Sequence, residues 1–332
     1  MKISELGEFA FIDHFAPVFT KNLKKGVLGI GDDCAVITLD DRRVMLITTD
    51  MLIEDSHFLR HRIPPADLGY KSLAVNLSDI AAMGGIPNYA FLSLGIPKDV
   101  EVEWMDLFFS GMHELCNEAN VQLLGGDTTR SGNHLIINIG VIGEALIEHV
   151  KYRSSALPGD IICVTGELGD SGGGLRLILE NIAAGDLEDL LVKRHHRPRA
   201  HLAEGQWLGA QKGVHAMMDV SDGIDSDLHR IMERSLCGAQ VDLNSLPCSS
   251  ELQEACVKYN WDLYELAATG GEDYCLICTI DPQAGESIMR EFKEKFERDL
   301  FPIGRIISEN TLNYYDQDIL VRFKRHGFDH FA

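Results

Sequence analysis

"RSSALPGDIICVTG", Arg153–Gly166, decides how this chain of 332 residues is divided. Small, polar and turn-forming residues run up to Pro158-Gly159, and an apolar run, "IICV", follows at once. Pro-Gly punctuation ahead of a β-branched apolar run marks a loop that ends where a buried strand begins. Together with the break that starts near Leu146, it predicts two units, residues 1–148 and 149–332. The length allows a sizeable core in each.

Working outward, both halves mix strands and helices. On the amino-terminal side, apolar spacing predicts a first helix over Ile3–Lys21, with Leu6, Phe9, Ala10, Ile12 and Phe15 on one face. "VMLITTDML" (Val44–Leu52) reads as a buried strand. Pro64-Pro65 opens a helix through "ADLGYKSLAVNLSDIAAM", stopped by Gly84-Gly85. Strand "NYAFLSLGI", helix "VEWMDLFFSGMHELCNEA" and strands "VQLLGG" and "HLIINIGVIGEA" follow. On the carboxyl-terminal side the order is helix 171–184, helix 199–211, strand "VHAMMDV", helix 224–236 and strand "AQVDL". Two short helices, strand "YCLICTI", helix 283–297 and strand "FPIGRII" complete it. Neither half alternates as clean βαβ units, so the fold class is α/β with mixed (α+β) sheets in two domains.

Composition narrows the function. With 30 basic against 51 acidic side chains the formal charge is −21, which excludes a surface built for nucleic acid or anionic membrane. The first residues, "MKISELGEFAFIDHF", carry acids where a secretory signal would need an apolar run, and no stretch approaches a membrane span. Of the eight cysteines, only Cys275 and Cys278 have metal-like spacing; with no second pair, they read as buried strand residues. The expectation is a reduced, cytoplasmic protein.

The chemistry lies in recurring aspartates: "GIGDDCAVI" (29–37), "TTD" (48–50), "NLSD" (76–79), "GGDTTR" (125–130), "DVSDGIDSD" (219–227) and "GGED" (270–273). Asp50, Asp127 and Asp219 each follow an apolar run, so the carboxyl ends of strands are expected to carry them, where open α/β sheets bind ligands. Asp79 belongs on a helix, on a face it could share with Lys71 and Asn76. There is no GxxxxGK[ST] loop, GxGxxG fingerprint, GxSxG elbow or HExxH pair, and "DVSDGIDSDLHR" fails EF-hand spacing. Two bare carboxylates ~4 Å apart repel by about 4 kcal/mol at an effective dielectric of ~20, and a divalent ion reverses that sign. Carboxylates among glycines and small hydroxyl residues therefore point to Mg²⁺ with phosphates. Any single aspartate could instead cap a helix or turn, as Asp222 and Asp225 would.

Taken jointly, "GIGDDCAVI", "TTDMLIEDSHF", "YKSLAVNLSDIAAMGG", "LLGGDTTR", "RSSALPGD", "KRHHRPRA", "DVSDGIDSDL", "GGEDY" and the closing "GFDHFA" resemble thiamine-monophosphate kinases. These belong to the wider aminoimidazole ribonucleotide synthetase-like group. The resemblance implies a two-domain fold of that type and a homodimer built through the amino-terminal sheets. It implies several Mg²⁺ ions held by Asp33, Thr48, Thr49, Asp50, Asp79, Asp127, Asp219 and Asp222. It places ATP on Gly126, Asp127, Arg153 and Ser221, and thiamine monophosphate on His57, Glu272 and Phe328. The implied reaction moves the γ-phosphoryl group of ATP directly onto the acceptor's phosphate, the last step to thiamine diphosphate.

That reaction needs no general base, because a phosphate monoester is largely deprotonated at pH 7; it needs positioning and neutralisation of charge. Asp32 is expected to cap the turn beside Asp33. Lys71 is expected on its helix surface, and Lys193–Arg199 as a solvated connector. Glu272 fits a solvated turn as well as a substrate contact. "GDSGGGLRL" could offer N–H groups to an anion or simply pack tightly. The competing readings are another ATP-dependent synthetase of the same group, making an acyl- or imidoyl-phosphate, and a non-catalytic nucleotide- or metal-binding regulator.

Overall fold

The computed structural model describes residues 7–183 and 185–323. Its first sheet has six strands: β1 (Val27–Leu28), β2 (Ala35–Thr38), β3 (Arg43–Ile53), β4 (Ile86–Ile96), β5 (Gln122–Arg130) and β6 (Ile136–Leu146). Their spatial order is β1-β2-β3-β6-β4-β5. Only β4 and β5 run parallel. The reason is the connection between them, which passes through helix α3 (Val102–Glu118) where a hairpin would have given an antiparallel pair. Along β6, partly and fully buried residues alternate, the period-2 signature of a sheet with one packed face.

Helix α2 (Pro65–Ala82) fills that packed face. Proline at its first position is preset for a helix start, and Gly84-Gly85 lie just beyond its last turn. From Leu68 to Ala82 almost every residue is buried, the mark of a core helix enclosed on all sides. Leu73, Leu77 and Ile80 pack with Leu46, Ile137 and Ile139 of the sheet. Gly111 of α3 allows the two helix backbones to touch, since a Cβ there would lie 1.8 Å from the Ala66 carbonyl oxygen. At its far end α2 enters the other half: Ala81 and Ala82 share a cluster with Cys163, Leu208 and Met217.

The second sheet has seven strands in the order β13-β12-β9-β11-β7-β10-β8. These are β7 (Ile161–Val164), β8 (Val214–Asp219), β9 (Gly238–Asp242), β10 (Leu276–Ile280), β11 (Phe301–Ile307), β12 (Leu312–Asp316) and β13 (Ile319–Val321). All neighbours are antiparallel except β12 and β9. Helices α4 (Asp170–Leu179), α5 (Asp186–His196), α6 (Leu202–Ala210), α7 (Ile224–Ser235), α8 (Ser250–Tyr259), α9 (Leu263–Thr269) and α10 (Pro282–Phe296) surround it.

Several expectations change. The basic run at Lys193–Arg199 is no solvated connector: α5 ends in it, His195 and His196 are buried, and Arg197 pairs with Asp67 and Glu114. Arg194 and Arg197 reach acids that lie far away in sequence, while Lys193 and Arg199 stay exposed. The first helix, α1, spans Glu8–Thr20 and includes Pro17. Phe15 of its expected apolar stripe is exposed, as are Val18 and Phe19 beyond it. Strands β1, β2, β12 and β13 are additions to the expected elements. Among the described residues, no helix is long and apolar enough to cross a membrane.

Candidate active site

Helix α2 carries a polar seam through the core, whose members meet β3, the end of β8 and the turn after β1. The Asn76 side chain accepts the Asp50 backbone N–H at 3.0 Å, tying α2 to the middle of β3. Ser78 donates to Asp219 at the end of β8, 2.6 Å away. Thr48 of β3 donates to the Asp79 carboxylate. The turn after β1 adds Asp32 and Asp33, and the Cys34 thiol beside them reaches the Asp79 carbonyl at 3.5 Å. α2 thus draws together acids supplied by both sheets.

Ligand atoms of Asp33, Asp79 and Asp219 all lie within 4.8 Å of one another, among the described residues. Hard carboxylate oxygens at that spacing, beside threonine and serine hydroxyls, suit a divalent cation of the Mg²⁺ type. The electrostatics agree. Burial, reinforced by Asp33, raises Asp50 to about 6 and Asp219 to about 8. Asp79 is pushed well above the usual carboxylate range by burial and by Asp50, Asp219 and Asp33. Burial and the adjacent Asp33 bring Asp32 to about 7. Acids that cannot all ionise together are waiting for positive charge.

Arg153 is the cation present. Its guanidinium grips Asp33 through both carboxylate oxygens, with the Nε contact at 3.3 Å. Its backbone N–H points at Asp32, 3.3 Å away, and Asp32 also accepts the Asp33 N–H at 3.2 Å, so Asp32 organises the turn. Next to Arg153 lies a cavity of about 420 Å³ whose walls carry Arg153, Arg230 and Arg234 together with the acids Asp13, Asp32 and Glu233.

Segment 270–274 is fastened to segment 219–222: the Glu272 N–H donates to the Ser221 carbonyl at 2.7 Å, and Tyr274 to Val220 at 2.8 Å. This places Ser221, Asp222 and Glu272 beside the cluster. Asp273 accepts the N–H groups of Gly169 and Ser171, so those donors at the glycine-rich start of α4 are taken by a carboxylate of the chain itself. α7 is capped by Gly223 without a side-chain bond, so Asp222 is not its cap. Lys71 overturns its surface assignment. It is 1% exposed, and its ammonium donates to Glu272 at 2.9 Å and to the His195 carbonyl at 3.1 Å. Sequence spacing placed it on a helix face but could not show that another half of the chain covers that face. The same blindness hid Ser78 and His195.

His57 closes the turn after β3, where its Nδ1 accepts the Ile53 N–H at 2.9 Å. Thr49 is exposed and receives the Asn138 amide at 3.0 Å. Asp50 and Asp127 lie inside strands; only Asp219 ends one. Asp127 is not brought to the cluster. Register runs Asp50–Ile139–Leu92–Gly126 across the sheet, so Asp127 is three strands away on the opposite face, about 14 Å at ~4.8 Å per strand. Every residue of β5 is exposed. Gly126 is required by β5 itself, because a Cβ would sit 1.6 Å from the Leu92 carbonyl oxygen. Phe328 falls outside the described residues.

Comparison with known proteins places this geometry. Residues 31–145 match the family described as AIR synthase related protein, N-terminal domain, and residues 158–317 its C-terminal domain. The thiamine-monophosphate kinase of Buchnera aphidicola subsp. Acyrthosiphon pisum is 38% identical over 330 residues, covering 98% of each chain. The chain belongs to the thiamine-monophosphate kinase family. The Bacillus subtilis thiamine-monophosphate kinase is also 38% identical, over 92% of this chain and 93% of its own. A solved structure of AaThiL complexed with AMPPCP and TMP matches with a TM-score of 0.86 at 33% identity, covering 99% of both chains. Members of this kinase family are enzymes, and the fold of this one is the mixed α/β, two-domain arrangement of the AIR synthase related proteins.

Proposed function

We propose that this enzyme transfers the γ-phosphoryl group of ATP to thiamine monophosphate, giving thiamine diphosphate. The observation that carries the reading is the convergence of Asp33, Asp79 and Asp219 within 4.8 Å, from a loop, a helix and a strand of both halves. It is joined by the likeness to kinases of that name and to a relative complexed with AMPPCP and TMP. Residues 1–148 and 149–332 are taken as the two domains, with the site at their junction.

Asp33, Asp50, Asp79 and Asp219 would hold magnesium, with Thr48, Thr49 and Asp222 beside them. An ion held by these residues would supply positive charge against that of the phosphates. The chain's own part is arrangement. Asn76 and Ser78 fix Asp50 and Asp219, so little reorganisation accompanies binding. Arg153, now engaged by Asp33, is the cation that can turn to a nucleotide phosphate, with Ser221 nearby. His57 and Glu272, and Phe328 from the segment near the end of the chain, would meet the acceptor. No side chain has to remove a proton, since the nucleophile is already a phosphate oxygen.

Asp127 and Gly126 fit this scheme through a second copy of the chain. β2 covers β3 only from Val44 to Ile47, so from Thr48 onward no described strand lies along the outer edge of β3, where Asn76 holds the Asp50 amide. At the other end of the sheet, β5 has, among the described residues, a strand on one side only. Uncovered edges of this kind favour pairing. A symmetric dimer that brings β5 of one copy to the Thr49–Asp50 region of the other would deliver Asp127 to the partner's cluster.

The deciding experiment mixes ATP, Mg²⁺ and thiamine monophosphate and reads ADP and thiamine diphosphate. Unphosphorylated thiamine is expected to be a very poor acceptor, because its alcohol needs a base that the site does not offer. Robust phosphorylation of thiamine would overturn the mechanism. Absence of ADP with every acceptor would favour the regulator reading, and ADP formation only with an acyl or imidoyl acceptor would favour the synthetase.

A further inference from the structure

A buried ion pair links the two halves at the edge of the proposed acceptor site. Lys71 comes from the first half and is 1% exposed. An ammonium so enclosed is costly unless paired and hydrogen-bonded. Its contacts are the Glu272 carboxylate oxygen Oε2 at 2.9 Å and the His195 carbonyl at 3.1 Å, both from the second half. The same Glu272 oxygen lies 3.3 Å from the His195 ring Nδ1, which is 2.9 Å from the Ser171 hydroxyl. Burial, with Lys71 and His196 nearby, holds His195 well below its ordinary pKa, so the ring is neutral at pH 7.

Glu272 differs from its partners. Its side chain is 25% exposed where Lys71 is enclosed, so it is anchored from behind and open in front. Its backbone has φ 64° and that of Tyr274 φ 51°, left-handed conformations that non-glycine residues adopt at a cost. Hydrogen bonds to Ser221 and Val220 hold this loop against the strand end that bears Asp219. A loop kept in an unfavourable conformation, beside the acid cluster and with its carboxylate clamped, is built for placement.

We propose that Lys71 is a positioning residue for the acceptor: with His195, it fixes the Glu272 carboxylate at the angle that receives the nitrogen-rich, cationic ring system of thiamine monophosphate. This rests on the kinase reading above. Lys71 touches neither substrate and acts through Glu272. The pair also couples the halves, because the carboxylate is correctly aimed only while α2 is docked against the second half.

The test is steady-state ADP formation by the full chain with Mg²⁺, varying each substrate in turn, with thermal melting as the folding control. Lys71→Met is expected to raise KM for thiamine monophosphate by about 10–100-fold, the effect of losing a charge-assisted hydrogen bond to an anchoring group. KM for ATP should stay within about twofold, a split that a general loss of structure would not produce. Adding Lys71→Met to Glu272→Gln should worsen nothing further, since both act on one contact. Should Lys71→Met fail to fold, His195→Leu takes its place, with an expected rise in the same KM of about 3–10-fold. An unchanged acceptor KM, or losses that multiply in the double variant, overturns the proposal. If the unaltered enzyme forms no ADP with thiamine monophosphate, it is the kinase reading that falls.

Discussion

Helix α2 and strand β5 carry acids of the same motif class in opposite surroundings. α2 is buried almost throughout, and its Asp79 reaches Thr48, Asp33 and Asp219 within one chain. β5 is exposed from end to end, and its Asp127 is separated from that cluster by the width of the sheet. The contrast teaches that one copy of the chain gathers a carboxylate cluster from both halves but leaves the acid of β5 on an exposed strand away from it. Where burial has concentrated charge, the acids shift their pKa values; on the dimer proposed above, Asp127 would meet a cluster across the partner surface.

The largest effect that can break this comparison is at the buried end. Asp79→Asn should lower turnover by about 10²–10³-fold, as when a fixed electrostatic group is removed. Metal-free stability should hold or rise, because a crowded buried charge has gone. A variant that melts normally and turns over normally would remove the metal-binding role. Asp127→Asn should lower turnover less, by about 10–100-fold. Its melting temperature should match the unaltered enzyme, because the residue is exposed.

Mixing these impaired variants then sharpens the comparison. If β5 serves the partner's site, co-refolded Asp79→Asn and Asp127→Asn chains should recover about a quarter of normal activity, since half of randomly paired dimers hold one intact site of two. No recovery would return Asp127 to its own chain. The smallest effect is on stability. Asp50 near 6 and Asp219 near 8 are raised from 3.8, so between those values the folded, metal-free chain binds more protons than the unfolded chain. Its stability therefore falls as pH rises from about 4 to about 8. Magnesium competes with those protons, so the melting-temperature gain from saturating Mg²⁺ should be larger at pH 8 than at pH 5.5, by about a few degrees. Equal gains at both values would contradict the buried-acid picture.

Much of the fold was legible. Pro64-Pro65 and Gly84-Gly85 bounded α2, and apolar runs between turn residues found β4, β6, β8 and β10. Local signals of this kind survive because capping, turn chemistry and periodicity act over a few residues. Long-range pairing leaves no such trace. Lys71 looked like any surface lysine until α5 and the 270–274 loop were seen to enclose it, and Lys193–Arg199 looked solvated until Asp67 and Glu114 came to meet Arg197.

The amino-acid order alone marked candidates for holding a cation and phosphates, because carboxylates amid glycines and hydroxyls have that chemistry wherever they sit. Tertiary structure decided which of them meet. Distances of a few ångströms between α2, the Asp33 turn and the end of β8 arise from helix–sheet packing across the whole chain, and the register of a sheet, not the spacing of a motif, set Asp127 apart.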